Sequence, residues 1–256
     1  MRDFAGEANF VDPAALIGDR TRARILLSLL DHRALPMSML ASEAGVAQST
    51  MSAHLSHLVD GGMLQVRKEG RHRYYSLASA DVARAIESLA QLAPPFKANS
   101  LRSGSRARAM RVARTCYDHL AGHLGVLVMR QLIAKGAVVG GDGHHHPEQA
   151  TQDRLSACGR DLSYAITPQG WRMLAAIGVE RPRTERPLVR YCVDWTEQCH
   201  HLSGAVGAAL LTRFLEQEWV ERKPSTRILR ILPAGESALQ QWLALNPGDL
   251  HAALAA

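Results

Sequence analysis

The chain has 256 residues, 46% of them hydrophobic and 21% charged, a globular balance that excludes wholesale disorder. No run approaches the ~18 apolar residues of a membrane-crossing helix, Met1-Arg2-Asp3-Phe4 lacks the cationic and apolar stretches of a secretory signal, and four cysteines are too few for a disulfide framework; the expectation is a cytoplasmic protein without a membrane partner. The formal excess of +6 is uneven: residues 1–115 hold 16 Lys/Arg against 10 Asp/Glu, residues 116–256 hold 14 of each, and a positive field confined to one part of a chain points to a polyanion.

Asp12 and Pro13 open a helix expected over residues 12–31, with Leu16, Ile17, Ala23, Leu26, Leu27 and Leu30 at helical spacing. A short helix from Met37 to Ala44 stops at Gly45, and another from Gln48 to Asp60 ends at Gly61-Gly62. Two helices joined by a tight Gly-Val turn form a helix-turn-helix. Met63 to Arg67 and His72 to Leu77 read as the arms of a β-hairpin around Glu69-Gly70. Ser79 caps a further helix that runs to about Leu92, before Pro94-Pro95. This order predicts a winged helix over residues 12–93.

Residues 94–115 form a basic linker or helix start, with Lys97, Arg102, Arg106, Arg108, Arg111 and Arg114 and no acidic residue. Such a stretch is either a solvated helix face or an added contact to a nucleic-acid backbone.

Residues 116–250 contain an internal repeat, with copies over 116–180 and 192–246. His119-Leu120-Ala121-Gly122-His123-Leu124-Gly125-Val126 lines up without gaps against His201-Leu202-Ser203-Gly204-Ala205-Val206-Gly207-Ala208. Ile166-Thr167-Pro168-Gln169-Gly170 later matches Leu232-Pro233-Ala234-Gly235 after one gap. Each copy reads as a helix, two short strands and a helix, and the first carries an insertion from about Gly140 to Leu162. The fold class is therefore mainly α with small β-hairpins (α+β): an N-terminal winged helix-turn-helix and a C-terminal domain of two winged-helix-like repeats.

The chemistry concentrates first in Gly45-Val46-Ala47-Gln48-Ser49-Thr50-Met51-Ser52-Ala53-His54-Leu55. Reading a major groove needs short polar side chains at the start of a helix. Gln48, Ser49, Thr50, Ser52 and His54 supply them beside the small Ala53, while Val46, Met51, Leu55 and Leu58 hold the helix to a core. Helix capping would use the same Ser and Thr residues. The wing Arg67-Lys68-Glu69-Gly70-Arg71-His72-Arg73 tips the balance, because its cations Arg67, Lys68, Arg71 and Arg73 suit backbone contact on flanking duplex.

With these residues in view, the chain resembles the ArsR/SmtB family of bacterial transcriptional regulators. The likeness is carried by Gly18 to Leu26, by Ala47 to Leu55, by Leu58-Val59-Asp60-Gly61-Gly62-Met63-Leu64, and by the wing with Tyr74-Tyr75-Ser76-Leu77; it covers about a third of the chain. The resemblance implies a homodimer that binds an inverted-repeat operator in double-stranded DNA as a repressor and leaves it when an effector arrives. It also implies a dimer interface built from the first and last helices of the winged domain.

The metal-sensing members carry a Cys-x-Cys just before the helix-turn-helix, where this chain has Pro36 and Ser38. Their other site uses Asp and His on the helix after the wing, and Asp81 to Leu92 contains no His. Sensing, if present, has moved to the C-terminal repeats.

There Cys116, His119 and His123 are spaced i, i+3, i+7, one face of an expected helix, and offer a thiolate with two imidazoles to a metal ion. Cys192, Cys199, His200 and His201 sit on the equivalent segment of the second copy, and His144-His145-His146 could add to a site. The same residues also suit packing, capping, or a redox or small-molecule response. No phosphate loop, nucleophile elbow or zinc-protease helix appears, so no enzymatic activity is expected. Two further readings stay open: a ligand-indifferent chromosome-binding protein, and an adaptor that binds a protein partner through its C-terminal repeats.

Overall fold

Asp19 breaks the first expected helix in two. In the computed structural model, which describes residues 9–30, 33–92, 101–146, 162–224 and 226–252, α1 (Val11–Gly18) and α2 (Arg20–Ser28) replace a single helix over 12–31. Asp19 is extended, and its carboxylate accepts the Arg22 backbone N–H at 2.8 Å, an N-cap inside what apolar spacing reads as a continuous helix. The Arg22 guanidinium then donates to the Leu16 and Ala15 carbonyls at 2.8 and 2.9 Å, satisfying acceptors left open at the end of α1. Phe10, not Asp12, is the N-cap of α1.

The chain divides into two compact units, with the boundary between Ile86 and Glu87. In the first, α3 (Met37–Ala44) ends at Gly45, whose φ of +73° lies in the left-handed region that glycine enters without strain. That bend lets the Gly45 and Val46 N–H groups both reach the Ala41 carbonyl, at 2.9 and 3.1 Å, and turns the chain into α4 (Gln48–Asp60). Met51, Leu55 and Leu58 of α4 are buried, as are Ile25 and Leu26 of α2 and Leu40 of α3, and the three helices pack together.

Strands β2 (Leu64–Glu69) and β3 (His72–Leu77) form the expected wing, in register from Leu64 with Leu77 to Glu69 with His72. A third strand, β1 (Leu35–Pro36), lies against Tyr74 and Tyr75. Two residues are too few to show alternation, so this strand leaves no trace in the sequence pattern. Helix α5 (Ala80–Gln91) follows, with Ser79 Oγ accepting the Val82 N–H at 3.3 Å as anticipated.

In the second unit α6 (Leu101–Val112) takes up much of the basic stretch; Lys97 lies outside the described residues. The first copy of the repeat then runs β4 (Arg114–Cys116), β5 (His119–Ala121), α7 (Gly122–Ala134), β6 (Val138–Val139), β7 (Ala165–Ile166) and α8 (Pro168–Ala176). The second copy runs β8 (Arg190–Val193), β9 (His200–Ser203), α9 (Gly204–Glu216), β10 (Val220–Arg222), β11 (Leu229–Ile231) and α10 (Pro233–Leu243), with α11 (Pro247–His251) after it. The insertion after Gly140 falls between β6 and β7, and residues 147–161 lie outside the described residues. Pro168 and Pro233 occupy matching starts of α8 and α10, where a missing N–H costs nothing.

Each copy therefore opens with a hairpin, and Cys116 and His119 stand on strands, not on the expected helix. Tyr117 takes a φ of +56° between them, closing a tight turn, and the helix starts only at Gly122.

The hairpins and helices of the two copies cross over, α7 packing on β9, α9 on β5, and β5 on β9. Two glycines at equal places in the repeat permit this approach. A Cβ on Gly125 would lie 2.7 Å from the Leu120 carbonyl oxygen and 3.5 Å from His201 Cβ; one on Gly207 would lie 2.6 Å from the Leu202 oxygen and 3.2 Å from His119 Cβ. Beneath them Leu124, Val128 and Leu132 of α7 share one core with Val206, Leu210 and Phe214 of α9 and Tyr191 of β8.

Alanine normally stabilises a helix interior over glycine by roughly 0.5–1 kcal/mol. At position 207 the sign should reverse: Gly207→Ala is expected to destabilise the second unit by about 1–3 kcal/mol through overpacking. Urea unfolding followed by tryptophan fluorescence checks this, and a raised midpoint would contradict the close approach.

Candidate DNA interface and Cys–His cluster

The start of α4 is presented to solvent. Gln48, Ser49, Thr50, Ser52 and Ala53 are all exposed, while the alternate positions Met51 and Leu55 are buried. Its N-cap is Ala47, which has no side-chain acceptor, so Ser49 and Thr50 do not serve as the helix's N-cap. His54 is partly buried and its Nδ1 lies 3.6 Å from Asp19 Oδ1, which ties the middle of α4 to the start of α2. The hydrogen bond from the Arg22 N–H, assisted by the nearby cations, holds the Asp19 carboxyl below its ordinary range. On the wing, Arg67, Lys68, Arg71 and Arg73 are exposed. Arg67 pairs with Glu69 at 2.8 Å, a solvent-screened contact of small energetic weight that a phosphate can displace.

A second constellation forms where the two repeats meet. Cys116 lies opposite His119 across β4 and β5, and Cys192 lies opposite His201 across β8 and β9. Directly opposed strand residues share a face, and the two pairs face one another: all four donor atoms lie within 4.8 Å of each other. The His119 and His201 rings are 5.1 Å apart, and both rings and Cys116 are buried.

Each histidine has a carboxylate at its Nδ1. Asp118 Oδ1 is 3.2 Å from His119 Nδ1, and Asp194 Oδ2 is 3.4 Å from His201 Nδ1. Each carboxylate is held in turn by an arginine: Arg186 Nη1 donates to Asp118 at 2.7 Å, and Arg114 Nη2 donates to both oxygens of Asp194 at 2.9 Å. Asp194 also accepts the Gly122 N–H at 2.7 Å and the Thr196 hydroxyl at 2.7 Å. Burial opposes its ionisation, but Arg114, His201 and Thr196 outweigh that and keep its carboxyl well below the usual range.

The Cys116 thiol is likewise held well below its ordinary value, first by a hydrogen bond from Cys192 and then, against burial, by His119 and His201. Burial disfavours a charged His119 ring, yet the Cys116 thiolate and Asp118 push it up to about 9.

Of the three metal-ligand candidates from sequence, Cys116 and His119 belong to this cluster and His123 does not. His123 sits in the first turn of α7 with Nδ1 2.9 Å from Glu197 Oε2 and Nε2 2.9 Å from the Asp249 carbonyl. Strand alternation also splits the second copy's candidates. His200 points away from His201, its Nδ1 2.8 Å from the Tyr164 hydroxyl, and Cys199 meets His144 Nδ1 at 3.6 Å. His146 is bonded to Asp142.

A family profile described as a helix-turn-helix domain matches residues 17–67, from α1 into the wing. The chain is 38% identical over 238 residues to an uncharacterized HTH-type transcriptional regulator, YdfF, of Bacillus subtilis, covering 92% of this chain and 97% of that protein. The chain belongs to the HTH-type transcriptional regulators. Over 76 residues it is also 41% identical to the HTH-type transcriptional regulator CmtR of Mycobacterium tuberculosis and 36% identical to the transcriptional activator HlyU of Vibrio cholerae. Both of those matches cover 30% of this chain, with 64% and 69% of the respective relative. The matches to CmtR and HlyU cover less than a third of the chain, whereas the YdfF match spans nearly all of it. Among the described residues no helix is long and apolar enough to cross a membrane.

The members of the cluster that sequence reasoning missed are the supporting ones. Arg114 reads as part of a basic, solvated stretch, yet it is 1% exposed, and its guanidinium lies 4.4 Å from the centre of the Trp195 ring. Asp118, on the turn of the first hairpin, orients the His119 ring next to it. The one available signal was the repeat itself, which sets His119 on His201. Cys116 precedes its histidine by three residues and Cys192 by nine, so a gapless alignment does not pair them. Removing a buried partner strands the other charge. Asp194→Ala is therefore expected to cost about 3–5 kcal/mol, measured by chemical denaturation, with Asp194→Asn costing less because its one amide oxygen still accepts from either Gly122 or Thr196, which bond to different oxygens of the carboxylate.

Proposed function

We propose that this regulator is a homodimeric, sequence-specific repressor that binds an inverted-repeat operator through α4 and the wing and is released by an effector sensed in its C-terminal unit. The observation that carries the reading is the exposed polar start of α4, freed from capping by Ala47, on the same unit as a wing with four exposed cations. Gln48, Ser49, Thr50, Ser52, Ala53 and His54 contact base edges or position the helix in the major groove, His54 while anchored to Asp19. Arg67, Lys68, Arg71 and Arg73 grip flanking backbone. A two-fold dimer needs half-sites about one helical turn apart. Protein of this kind works among the nucleic acids of the cytoplasm.

The effector reading that a specific observation favours is a metal ion, because four Cys and His donors converge in the C-terminal unit.

The test is a binding titration on DNA from upstream of the regulator's own gene, with a random duplex as control. Selective binding is expected; equal affinity for both duplexes would instead favour the ligand-indifferent chromosome-binding reading. Arg71→Ala should weaken binding to every sequence alike and flatten the salt slope by about 1. Ser52→Ala and Thr50→Ala should change the preference among sites, and an equal loss on all sequences would count against direct readout.

A further inference from the structure

The two rings of the cluster have a peculiarity that packing alone does not account for. The Nε2 atoms of His119 and His201 are buried without a hydrogen-bond partner, in rings only 4% and 1% exposed. A buried polar atom with no partner loses its hydration without replacement, and here two stand at equivalent places of a repeat. The Asp118 carboxylate, hydrogen-bonded at 3.2 Å to His119 Nδ1, favours the neutral tautomer that leaves Nε2 as a lone-pair donor, the arrangement usual behind metal-bound histidines; Asp194 stands 3.4 Å from His201 Nδ1 in the corresponding place, although neither nitrogen of that ring has an aligned hydrogen bond. Arg186 and Arg114 hold those carboxylates in place. The two sulfurs complete a set of two soft and two borderline donors, which suits a d10 divalent ion. Two thiolates also balance the charge of such an ion, so the occupied centre is neutral and tolerates burial. Neither cysteine is in a disulfide.

We propose that Cys116, His119, Cys192 and His201 form a closed tetrahedral site for one zinc-class ion, zinc or cadmium, clamped between the two repeats, and that this ion is the regulator's effector. As a binding site it stands on these side chains alone; as the effector site it rests on the function proposed above. All four positions of the ion are filled by protein, so it polarises no substrate and acts by joining β4–β5 to β8–β9. Each hairpin contributes one cysteine and one histidine, so a filled site adds a direct cross-link between the two halves to their packing, the Arg114–Asp194 pair and the hydrogen bonds around it. Asp118 acts as a positioning residue through His119.

The test uses the full chain, reduced and stripped with chelator, then titrated with cadmium and separately loaded with zinc. One ion per chain is expected, with the ultraviolet absorption of cadmium–thiolate bonds and, at the zinc edge, an X-ray absorption spectrum fitted by two sulfur and two nitrogen neighbours. Cys192→Ser should lose about half of the cadmium absorption. His123→Gln should bind like the parent, because it lies outside the cluster. Asp118→Asn should keep the same neighbours with an affinity about 10–100-fold lower. No uptake by the reduced parent chain, or a zinc spectrum without sulfur, overturns the site irrespective of how any variant folds. So does a loss on His123→Gln that matches the loss on Cys192→Ser. Operator titrations in chelator and in zinc separate the two claims: full uptake with unchanged operator affinity overturns the effector role, whereas absent operator selectivity in chelator overturns the repressor reading and leaves the site standing.

Discussion

The C-terminal half depends on one buried ion pair. Arg114 ends the basic stretch that precedes the first hairpin, Asp194 follows the first strand of the second, and they meet 1% and 0% exposed. Two charges taken from water need several hydrogen bonds to offset their lost hydration. They have them: Arg114 also donates to the Met110 carbonyl and Thr196, while Asp194 accepts from Gly122 and Thr196. The pair thus fixes which residues of two distant segments face each other. Because Asp194 also sits at His201, the interaction that joins the repeats orients one of the cluster's imidazoles.

Glycine makes the same contact geometrically possible. Gly125 and Gly207 each let a helix lie against its own hairpin's carbonyl and the opposite copy's histidine. The close approach is helix on strand, and it brings His119 and His201 together. Internal symmetry then does the rest. A cysteine opposite a histidine on each hairpin becomes a four-donor cluster once the copies face one another, although neither copy alone holds more than half of it.

The N-terminal half follows a different logic, in which most instructions are local. Gly45 enforces the turn of the helix-turn-helix, Gly61-Gly62 ends α4, and a two-residue turn closes the wing. Tertiary structure adds two things there. Asp19 serves at once as helix breaker, cap and partner of His54, and the N-cap of α4 falls on Ala47, which leaves Ser49 and Thr50 inside the helix and exposed. Both bear on which side chains α4 presents.

The sequence by itself determined the winged helix, the repeat, the polar start of α4 and the cations of the wing, because turns, caps and periodicity act over a few residues and leave their mark locally. It also marked Cys116 and His119, but assigned them to a helix face with His123. Only the tertiary structure decided that they lie across a hairpin, that Cys192 and His201 complete the cluster, and that Arg114 is buried. The reason is range: the cluster joins residues 116–119 to residues 192–201, and no local pattern records which strands will be opposed when two halves of a repeat fold onto each other.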